Sequence, residues 1–285
     1  MELISSIQWP CLMEQDIQLD LLRIDVLHPE ISGNKWFKLK YNITYALEHN
    51  YNTLISFGGA YSNHLHALAY AGFEAGLKTI GIVRGEPVDN PTLSDCVRWG
   101  MELQFISREK YKQKKEPHYL EELQHAYPHA MLIPEGGSND LGLKGCTEII
   151  SITDTTCYDV FACAIGTGTT FCGIANALLP HQDALGYTAL KQGEYLKETF
   201  EKEISHPRWQ LQTEAHCGGF GKRNQELLDF MARFQAEQHI ELDVVYTGKM
   251  CLGLQKDIEQ NRFRHGTKIL AIHTGGLQGN RTLAC

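Results

Sequence analysis

The sequence predicts an α/β fold in which parallel strands are covered by helices on both faces. Short, almost continuously apolar segments alternate along the chain with segments of helical periodicity. Each apolar segment ends within a few residues at a glycine, a proline or a polar cluster, which favours strands over buried helical turns. Strands that are apolar on both faces are typical of parallel sheets enclosed by helices.

The order of these segments gives the predicted elements. The predicted strands are 54–57, 79–83, 102–106, 130–134, 159–165, 243–246 and 269–273. The predicted helices include 64–75, 92–100 and 171–179. Segment 182–207 is predicted as a surface excursion that still contains a strand-like stretch at 186–190 and a charged helix.

Composition excludes several classes of function. With 285 residues and a formal charge of −8, the chain has no excess of basic residues for nucleic-acid binding. The basic run 108–115 is predicted to be a solvated surface. No apolar stretch reaches the ~20 residues of a membrane helix, and no signal peptide is visible. The nine cysteines lie singly, without a Cys-x-x-Cys pair, which is typical of reduced thiols in a cytoplasmic protein.

The loop Gly166-Thr167-Gly168-Thr169-Thr170 joins an apolar strand to an apolar helix. Free backbone N–H groups and the helix dipole favour an anion at such a place, and glycine allows it to approach closely. The alternative is a tight turn without a ligand. A nucleotide is a weaker interpretation, because the third glycine of the dinucleotide fingerprint and the Walker Gly-Lys-Ser/Thr are both missing.

A second glycine-rich loop, 58–64, follows the strand at 54–57. Open α/β sheets bind ligands at this end of their strands. Ser62 and Asn63 are favoured as functional residues over simple helix caps, and His64 is left open between the two roles. His66 is predicted on the helix surface, and it has no acidic or cysteine partner in the sequence that would make a metal site.

Lys35 follows a Gly-Asn turn at 33–34. Lys38 and Lys40 carry the same charge but follow no such turn. A lysine that forms an imine must be held in an apolar, positioned setting, which Trp36 and Phe37 would supply. Together with the two loops and the polar segment 246–249, this lysine is what a protein needs to hold a phosphorylated aldehyde. We therefore predict Lys35 as the Schiff-base lysine of a pyridoxal 5′-phosphate (PLP) enzyme.

The chain resembles one family, the PLP-dependent 1-aminocyclopropane-1-carboxylate (ACC) deaminases and D-cysteine desulfhydrases, which have the tryptophan-synthase-β type of fold. The matching segments run in family order along the chain. They are Gly33-Asn34-Lys35-x-x-Lys38-Leu39, Thr53-Leu54-Ile55-Ser56-x-Gly58-Gly59 with Ser62-Asn63-His64, Ile133-Pro134-Glu135-Gly136-Gly137-Ser138-Asn139, Gly166-Thr167-Gly168, Tyr246-Thr247-Gly248-Lys249 and His273-Thr274-Gly275-Gly276.

The resemblance implies a role for each matched position. Lys35 would bind the cofactor covalently and move the substrate's α-proton, while Asn63 would bond to the cofactor's 3′-oxygen. Residues 166–170 would hold the phosphate. Tyr246 would lie beside the pyridine ring, and Thr247 would face the ring nitrogen. The implied catalytic residues are Lys35, Ser62 and Tyr246, and the implied substrate-binding residues are Ser62, Asn63, His64, Phe220 and Thr274.

Position 247 also separates the members of this family. ACC deaminases resemble one another in having an acid there and a leucine where this chain has Thr274. A carboxylate keeps the ring nitrogen protonated, whereas a hydroxyl suffices for a good β leaving group. The chain departs from the family at Tyr61, where glutamine is usual, and at Phe220, where a tyrosine is expected. These departures bear on the substrate.

The resemblance implies two parallel-sheet, three-layer domains with the cofactor in the cleft between them. The larger domain is predicted at 1–42 and 151–285, and the smaller one at 43–150. The predicted reaction is a D-cysteine desulfhydrase-like α,β-elimination on a small amino acid, giving an α-keto acid and ammonia. The alternatives are an ACC deaminase, a catalytically inactive PLP-binding protein and a nucleotide-binding module. A cytoplasmic homodimer without metal, membrane or nucleic-acid partners is expected.

Overall fold

The computed structural model describes residues 3–191 and 193–282. The strands in these residues are β1 (Ile4–Ser6), β2 (Gln18–Leu22), β3 (Thr53–Gly58), β4 (Lys78–Arg84), β5 (Met101–Ile106), β6 (Ala130–Ile133), β7 (Val160–Ile165), β8 (Asp183–Thr188), β9 (Trp209–Gln212) and β10 (Lys268–Ile272). The α-helices are α1 (Pro10–Glu14), α2 (Asn34–Glu48), α3 (Asn63–Ala75), α4 (Pro91–Arg98), α5 (Arg108–Lys112), α6 (Pro117–Ala126), α7 (Asp140–Thr147), α8 (Thr169–Ala177), α9 (Leu196–Glu203), α10 (Gln225–Gln238) and α11 (Thr247–Glu259).

The described residues form two compact units. The first comprises 3–27, 32–34, 146–191 and 193–280, and the second comprises 28–31, 35–145 and 281–282. The chain thus passes from the first unit to the second between Asn34 and Lys35. The domain boundaries predicted from the sequence, at 42/43 and 150/151, stay predictions.

The first unit is built on a six-stranded sheet in the order β1-β2-β10-β7-β8-β9. Only β1 pairs antiparallel with its neighbour, and the other pairs are parallel. All six residues of β7 are buried, and this strand is contacted by both α8 and α11. Because β7 and β10 are parallel neighbours, the residues that follow them, Gly166 and Thr274, lie at the same edge of the sheet.

The second unit is built on a four-stranded parallel sheet in the order β5-β4-β3-β6. Its central strand β3 is buried throughout, and its side chains alternate between two apolar clusters. Leu54 belongs to a cluster that includes residues of α2, α3 and α4. Ile55 and Phe57 belong to a cluster that includes residues of α5 and α6. Helices therefore cover both faces of the sheet, which confirms the predicted α/β class.

Two predictions about elements are wrong. Residues 243–246 are not a strand but the turn before α11, because the Asp243 carboxylate caps the backbone N–H groups there. Segment 182–207 is not a surface excursion at its start, since β8 pairs with β7 on one side and β9 on the other. The strand-like stretch predicted within this segment overlaps β8, which lies inside the sheet because β7 and β9 pair with its two sides.

Among the described residues, no helix combines the length and the apolar content that crossing a bilayer requires.

Candidate functional site

A turn at Gly33 and Asn34 packs against the end of β10. Gly33 has φ +66°, and a Cβ atom there would overlap the carbonyl oxygen of Thr274. The backbone N–H of Asn34 donates to the same oxygen at 3.1 Å. An L side chain is strained at this φ and would find no space, so the position requires glycine. The turn before Lys35 is therefore fixed by backbone packing within the first unit.

Residues 166–170 connect β7 to α8 and form the predicted anion-binding loop. Gly168 has φ +97° and immediately precedes α8, and a Cβ atom there would overlap the ring of Phe200. The backbone N–H groups at the start of this nine-residue helix and its dipole favour an anion. Asn34 Nδ2 donates to Thr170 Oγ1 at 2.8 Å. The residue before Lys35 is thus bonded to the loop.

The side chains of this loop differ in their exposure. Thr169 and Thr170 are buried at the start of α8, whereas Thr167 is exposed. The hydroxyl of Thr170 already accepts the bond from Asn34. We conclude that Thr167 and the loop backbone are the donors best placed to meet a ligand from solvent.

Tyr246 lies beside the same loop. A Cβ atom at Gly166 would come 2.8 Å from Tyr246 Cε1 and 3.1 Å from its hydroxyl oxygen, so this approach depends on glycine. The ring of Phe220 meets Tyr246 edge to face, with the ring centroids 6.1 Å apart. Phe220 is 56% exposed. The structure thus brings Gly166, Tyr246 and Phe220 together within the first unit.

The hydroxyl of Thr247 is bonded to Asp243. Thr247 Oγ1 donates to Asp243 Oδ1 at 2.8 Å and accepts from the Asp243 backbone N–H at 2.9 Å. The same carboxylate accepts from the backbone N–H groups of residues 245, 246 and 247 at 2.9, 3.1 and 2.7 Å. Thr247 is 0% exposed. A hydroxyl that has donated its hydrogen can meet a further group only as an acceptor.

In the second unit, α3 begins at the turn that ends β3. Ser62 is its N-cap, with Oγ accepting from the backbone N–H of Leu65 at 3.2 Å. A Cβ atom at Gly58 would lie 2.6 Å from that hydroxyl oxygen. Asn63 is the first residue of α3 and is half-buried. Capping uses a lone pair of the hydroxyl oxygen, so Ser62 can cap the helix and still donate its hydrogen to a ligand.

His64 is buried in α3 with one ring nitrogen bonded and the other open. Its Nε2 lies 2.8 Å from Ser56 Oγ, which donates to the carbonyl of Ile133 at 2.7 Å. Because that hydroxyl has a single hydrogen, Nε2 must carry the hydrogen of its bond to Ser56, and Nδ1 is bare in the neutral ring. His64 is 2% exposed, and no described residue offers its Nδ1 a hydrogen-bond partner.

The electrostatics around this imidazole favour the neutral ring. Burial lowers the pKa of His64 well below its usual range, and the nearby charges of Lys35 and Lys38 lower it further. His64 therefore offers an acceptor at Nδ1 at neutral pH. A buried acceptor without a partner costs free energy unless a ligand or a water molecule bonds to it.

Lys35 and Lys38 lie one turn apart on α2 and so share a side of the helix. Lys38 is 3% exposed and donates to the carbonyl of Gly136 at 3.0 Å, whereas Lys40 is exposed. Lys35 lies in the first helical turn, where the dipole disfavours a cation, and imine formation needs the neutral amine. Of the two aromatic residues expected to give an apolar setting, Phe37 is buried, whereas Trp36 is 40% exposed.

The predicted site residues divide between the two units. Those of the first unit are Gly166, Thr167, Gly168, Thr169, Thr170, Phe220, Tyr246, Thr247 and Thr274, and those of the second are Lys35, Ser62, Asn63 and His64. The structure adds Asn34, Ser56 and Asp243 as partners of these residues. Asp243 was placed in a predicted strand, and its role as a cap is visible only from the bonds that it accepts from residues 245–247.

One surface prediction also fails. His66 is buried, and its Nε2 lies 3.3 Å from Asp95 Oδ2 of α4. The acidic partner comes from a distant part of the chain, which sequence spacing does not reveal.

The residues present fit PLP. A loop at the start of α8 with two closely packed glycines suits a phosphate, and a lysine in a first helical turn suits an aldehyde. The buried Nδ1 of His64, which feels the charge of Lys35, is an acceptor to which a bound group or a water molecule can donate. Asn34 links the two halves of this set in sequence, because it bonds to Thr170 and directly precedes Lys35.

Comparison with known proteins agrees with this fit. No protein-family model matches the chain. It is 29% identical over 270 residues to a Thermotoga maritima protein named putative 1-aminocyclopropane-1-carboxylate deaminase, covering 87% of this chain and 85% of the relative.

A crystal structure of an ACC deaminase homologue matches with a TM-score of 0.83 and 26% identity, covering 97% of this chain and 90% of the other. A crystal structure of the O-acetylserine dependent cystathionine β-synthase from Helicobacter pylori matches with a TM-score of 0.70 and 16% identity, covering 93% of this chain and 89% of the other, which shows the fold alone. The chain is therefore similar, over most of its length, to proteins named as ACC deaminases and to a solved ACC deaminase homologue, and it has the tryptophan-synthase-β type of fold.

Proposed function

We propose that the protein is a D-cysteine desulfhydrase-like lyase. It would convert a small β-substituted amino acid and water into an α-keto acid, ammonia and the β leaving group, which for cysteine is sulfide. The observation that carries this proposal is that position 247 has a threonine hydroxyl where ACC deaminases resemble one another in having an acid. A hydroxyl supports less charge on a pyridine ring than a direct carboxylate does, and a thiolate leaves without that support.

The chain's own residues would divide the work. PLP, when bound, supplies an electron sink for the pair left on the substrate's Cα. Residues 166–170 would bind the phosphate, and the Nζ of Lys35 would hold the cofactor and then carry the α-proton. Ser62 Oγ would donate to the substrate carboxylate while it caps α3. His64 Nδ1 would accept a hydrogen bond from an amine beside it.

ACC deamination is the second candidate. The relatives carry that name, and the carboxylate of Asp243 lies directly behind the Thr247 hydroxyl. A carboxylate that takes the hydroxyl hydrogen turns Thr247 into an acceptor, which favours a protonated ring nitrogen. This arrangement would restore part of the support that opening a cyclopropane needs.

Two measurements test the proposal. PLP should give a visible absorbance band that borohydride abolishes, and the reduced cofactor should stay covalently attached in the wild type and in Lys40→Ala but not in Lys35→Ala. Pyruvate and sulfide from D-cysteine are then compared with 2-oxobutyrate from ACC. Turnover of ACC alone would overturn the desulfhydrase proposal in favour of the second candidate.

A PLP-binding protein without turnover is the remaining alternative. Phe220 favours it, since this exposed ring has no hydroxyl where the family has a tyrosine. It predicts a borohydride-sensitive band that no D- or L-amino acid perturbs.

A further inference from the structure

Lys249 is a buried lysine to which the proposed reaction gives no task. It is the third residue of α11 and is 1% exposed. Burial lowers the pKa of Lys249, which means that the fold holds its ammonium at a cost. The charge of the Asp243 carboxylate partly offsets this cost, although no ion pair joins the two side chains among the described residues. The ammonium instead donates to the backbone carbonyl of Gly219 at 2.8 Å.

The carbonyl that Lys249 binds belongs to the glycine-rich loop 218–221. Gly218, Gly219 and Gly221 have φ values of +94°, +115° and +65°. Glycines lose more conformational entropy on ordering than any other residue, so such a loop does not hold one conformation by its own preferences. A charge-assisted bond from a helix supplies the missing restraint.

The fourth residue of this loop is Phe220. Its ring is more than half exposed, yet it meets Tyr246 edge to face. Tyr246 is the residue at the N-terminal end of α11, three positions before Lys249. The loop is therefore fixed to one helix end at two points, through the Gly219 carbonyl and through the Phe220 ring.

We propose that Lys249 is a positioning residue that holds Phe220 beside Tyr246, where the ring forms an apolar edge of the substrate site and selects substrates with an apolar group on Cβ. This rests on the proposed function, which puts Tyr246 next to the cofactor. The exposed loop 218–221 cannot be ordered by burying apolar surface, yet it must hold the Phe220 ring in one position. The buried ammonium of Lys249 orders the loop instead, through its bond to Gly219.

Hydrogen exchange tests the positioning role directly, in the PLP-loaded protein. Lys249→Met keeps the length of the side chain and removes the ammonium. Exchange of amides in 216–222 should rise roughly tenfold, the factor for losing a charge-assisted hydrogen bond. Lys268→Met is the control, because Lys268 belongs to the same unit but is exposed at the start of β10. Exchange in 216–222 should not change in this control.

Thermal stability separates positioning from a general structural role. Lys249→Met removes a buried charge, which offsets the loss of the bond to Gly219, so its Tm should stay close to that of the wild type while the loop exchanges faster. Unchanged exchange in 216–222, or faster exchange throughout the protein, would overturn the positioning role.

Selectivity is tested by binding of amino acids that differ by one apolar carbon. Alanine and 2-aminobutyrate are titrated against the absorbance of the PLP-loaded protein. The wild type should prefer 2-aminobutyrate, and the preference should fall roughly fourfold in Phe220→Ala and in Lys249→Met, the factor for one buried methylene. An unchanged ratio in both variants would refute the apolar edge. If no PLP binds, the proposed function fails together with the selectivity, and the same exchange measurement on the protein without PLP decides whether Lys249 holds the loop.

Discussion

Two helix starts carry residues that the sequence singled out, and they differ in how their polar atoms are satisfied. At the start of α11, one carboxylate, that of Asp243, accepts from three backbone N–H groups and from the hydroxyl of Thr247. At the start of α3, Ser62 caps one N–H group, and the buried Nδ1 of His64 has no partner among the described residues.

The difference shows which side-chain atoms are already hydrogen-bonded within the protein and which can still bond to a ligand. A fully satisfied turn gains nothing more from a bound group, whereas a buried open acceptor gains a hydrogen bond. The α3 start is therefore the stronger candidate for direct contact with substrate or cofactor. The role of Thr247 at the ring nitrogen stays a prediction, and its hydroxyl can fulfil it only as an acceptor.

Removing the cap of each helix gives the largest expected difference. Asp243→Asn turns an amide group toward several donors and should lower the free energy of unfolding by about 3 kcal/mol or more. Ser62→Ala should cost about 1 kcal/mol, as loss of a single N-cap does. Urea unfolding measures both losses. Equal losses would show that Asp243 is no more structural than Ser62.

The start of α2 can be compared with the C-terminal end of α3, because each has a glycine at nearly the same φ. Gly76 has φ +68° with open space around it, whereas a Cβ atom at Gly33 would overlap Thr274. Gly76→Ala should cost about 1 kcal/mol from backbone strain alone, and Gly33→Ala about 1–3 kcal/mol more from overpacking. If the two variants unfold at the same urea concentration, the turn before Lys35 is not fixed by Thr274.

The open nitrogen of His64 predicts a pH dependence. Its pKa in the folded protein lies well below the 6.5 of the unfolded chain, so the unfolded chain binds more protons as the pH falls below 6.5. Stability that is fully present above pH 6.5 should therefore decrease toward pH 5. Unfolding free energies at pH 7.5 and 5 should differ more in the wild type than in His64→Gln. Identical differences would mean that His64 is not buried in its neutral form.

The smallest effect concerns the tautomer of His64. In a long-range nitrogen NMR spectrum of histidine-labelled protein, the ring should show a protonated Nε2 and a bare Nδ1. Ser56→Ala removes the acceptor for Nε2–H and should give a mixture of tautomers at little cost to the fold. A protonated Nδ1 in the wild type would contradict an open acceptor.

The parts of the fold that the sequence predicted correctly are those that local patterns control. The strands at 54–57 and 159–165 are apolar on both faces, and only a covered parallel sheet accommodates them. The segment at 243–246 was predicted wrongly because a side-chain cap, not apolar periodicity, sets its conformation. His66 was misplaced because its partner, Asp95, is far away in sequence.

By itself, the sequence determined the α/β class, the glycine-rich loops at strand ends, and Lys35 behind a Gly-Asn turn. These depend on backbone conformation and on short-range hydrophobic patterns, which neighbouring residues fix. Only the tertiary structure decided which polar atoms are already satisfied. It joined Asn34 to Thr170, turned Thr247 onto Asp243, left His64 Nδ1 open and buried Lys249 under Gly219. Hydrogen-bond partners that are distant in sequence meet only when the sheets form, so no local pattern encodes them.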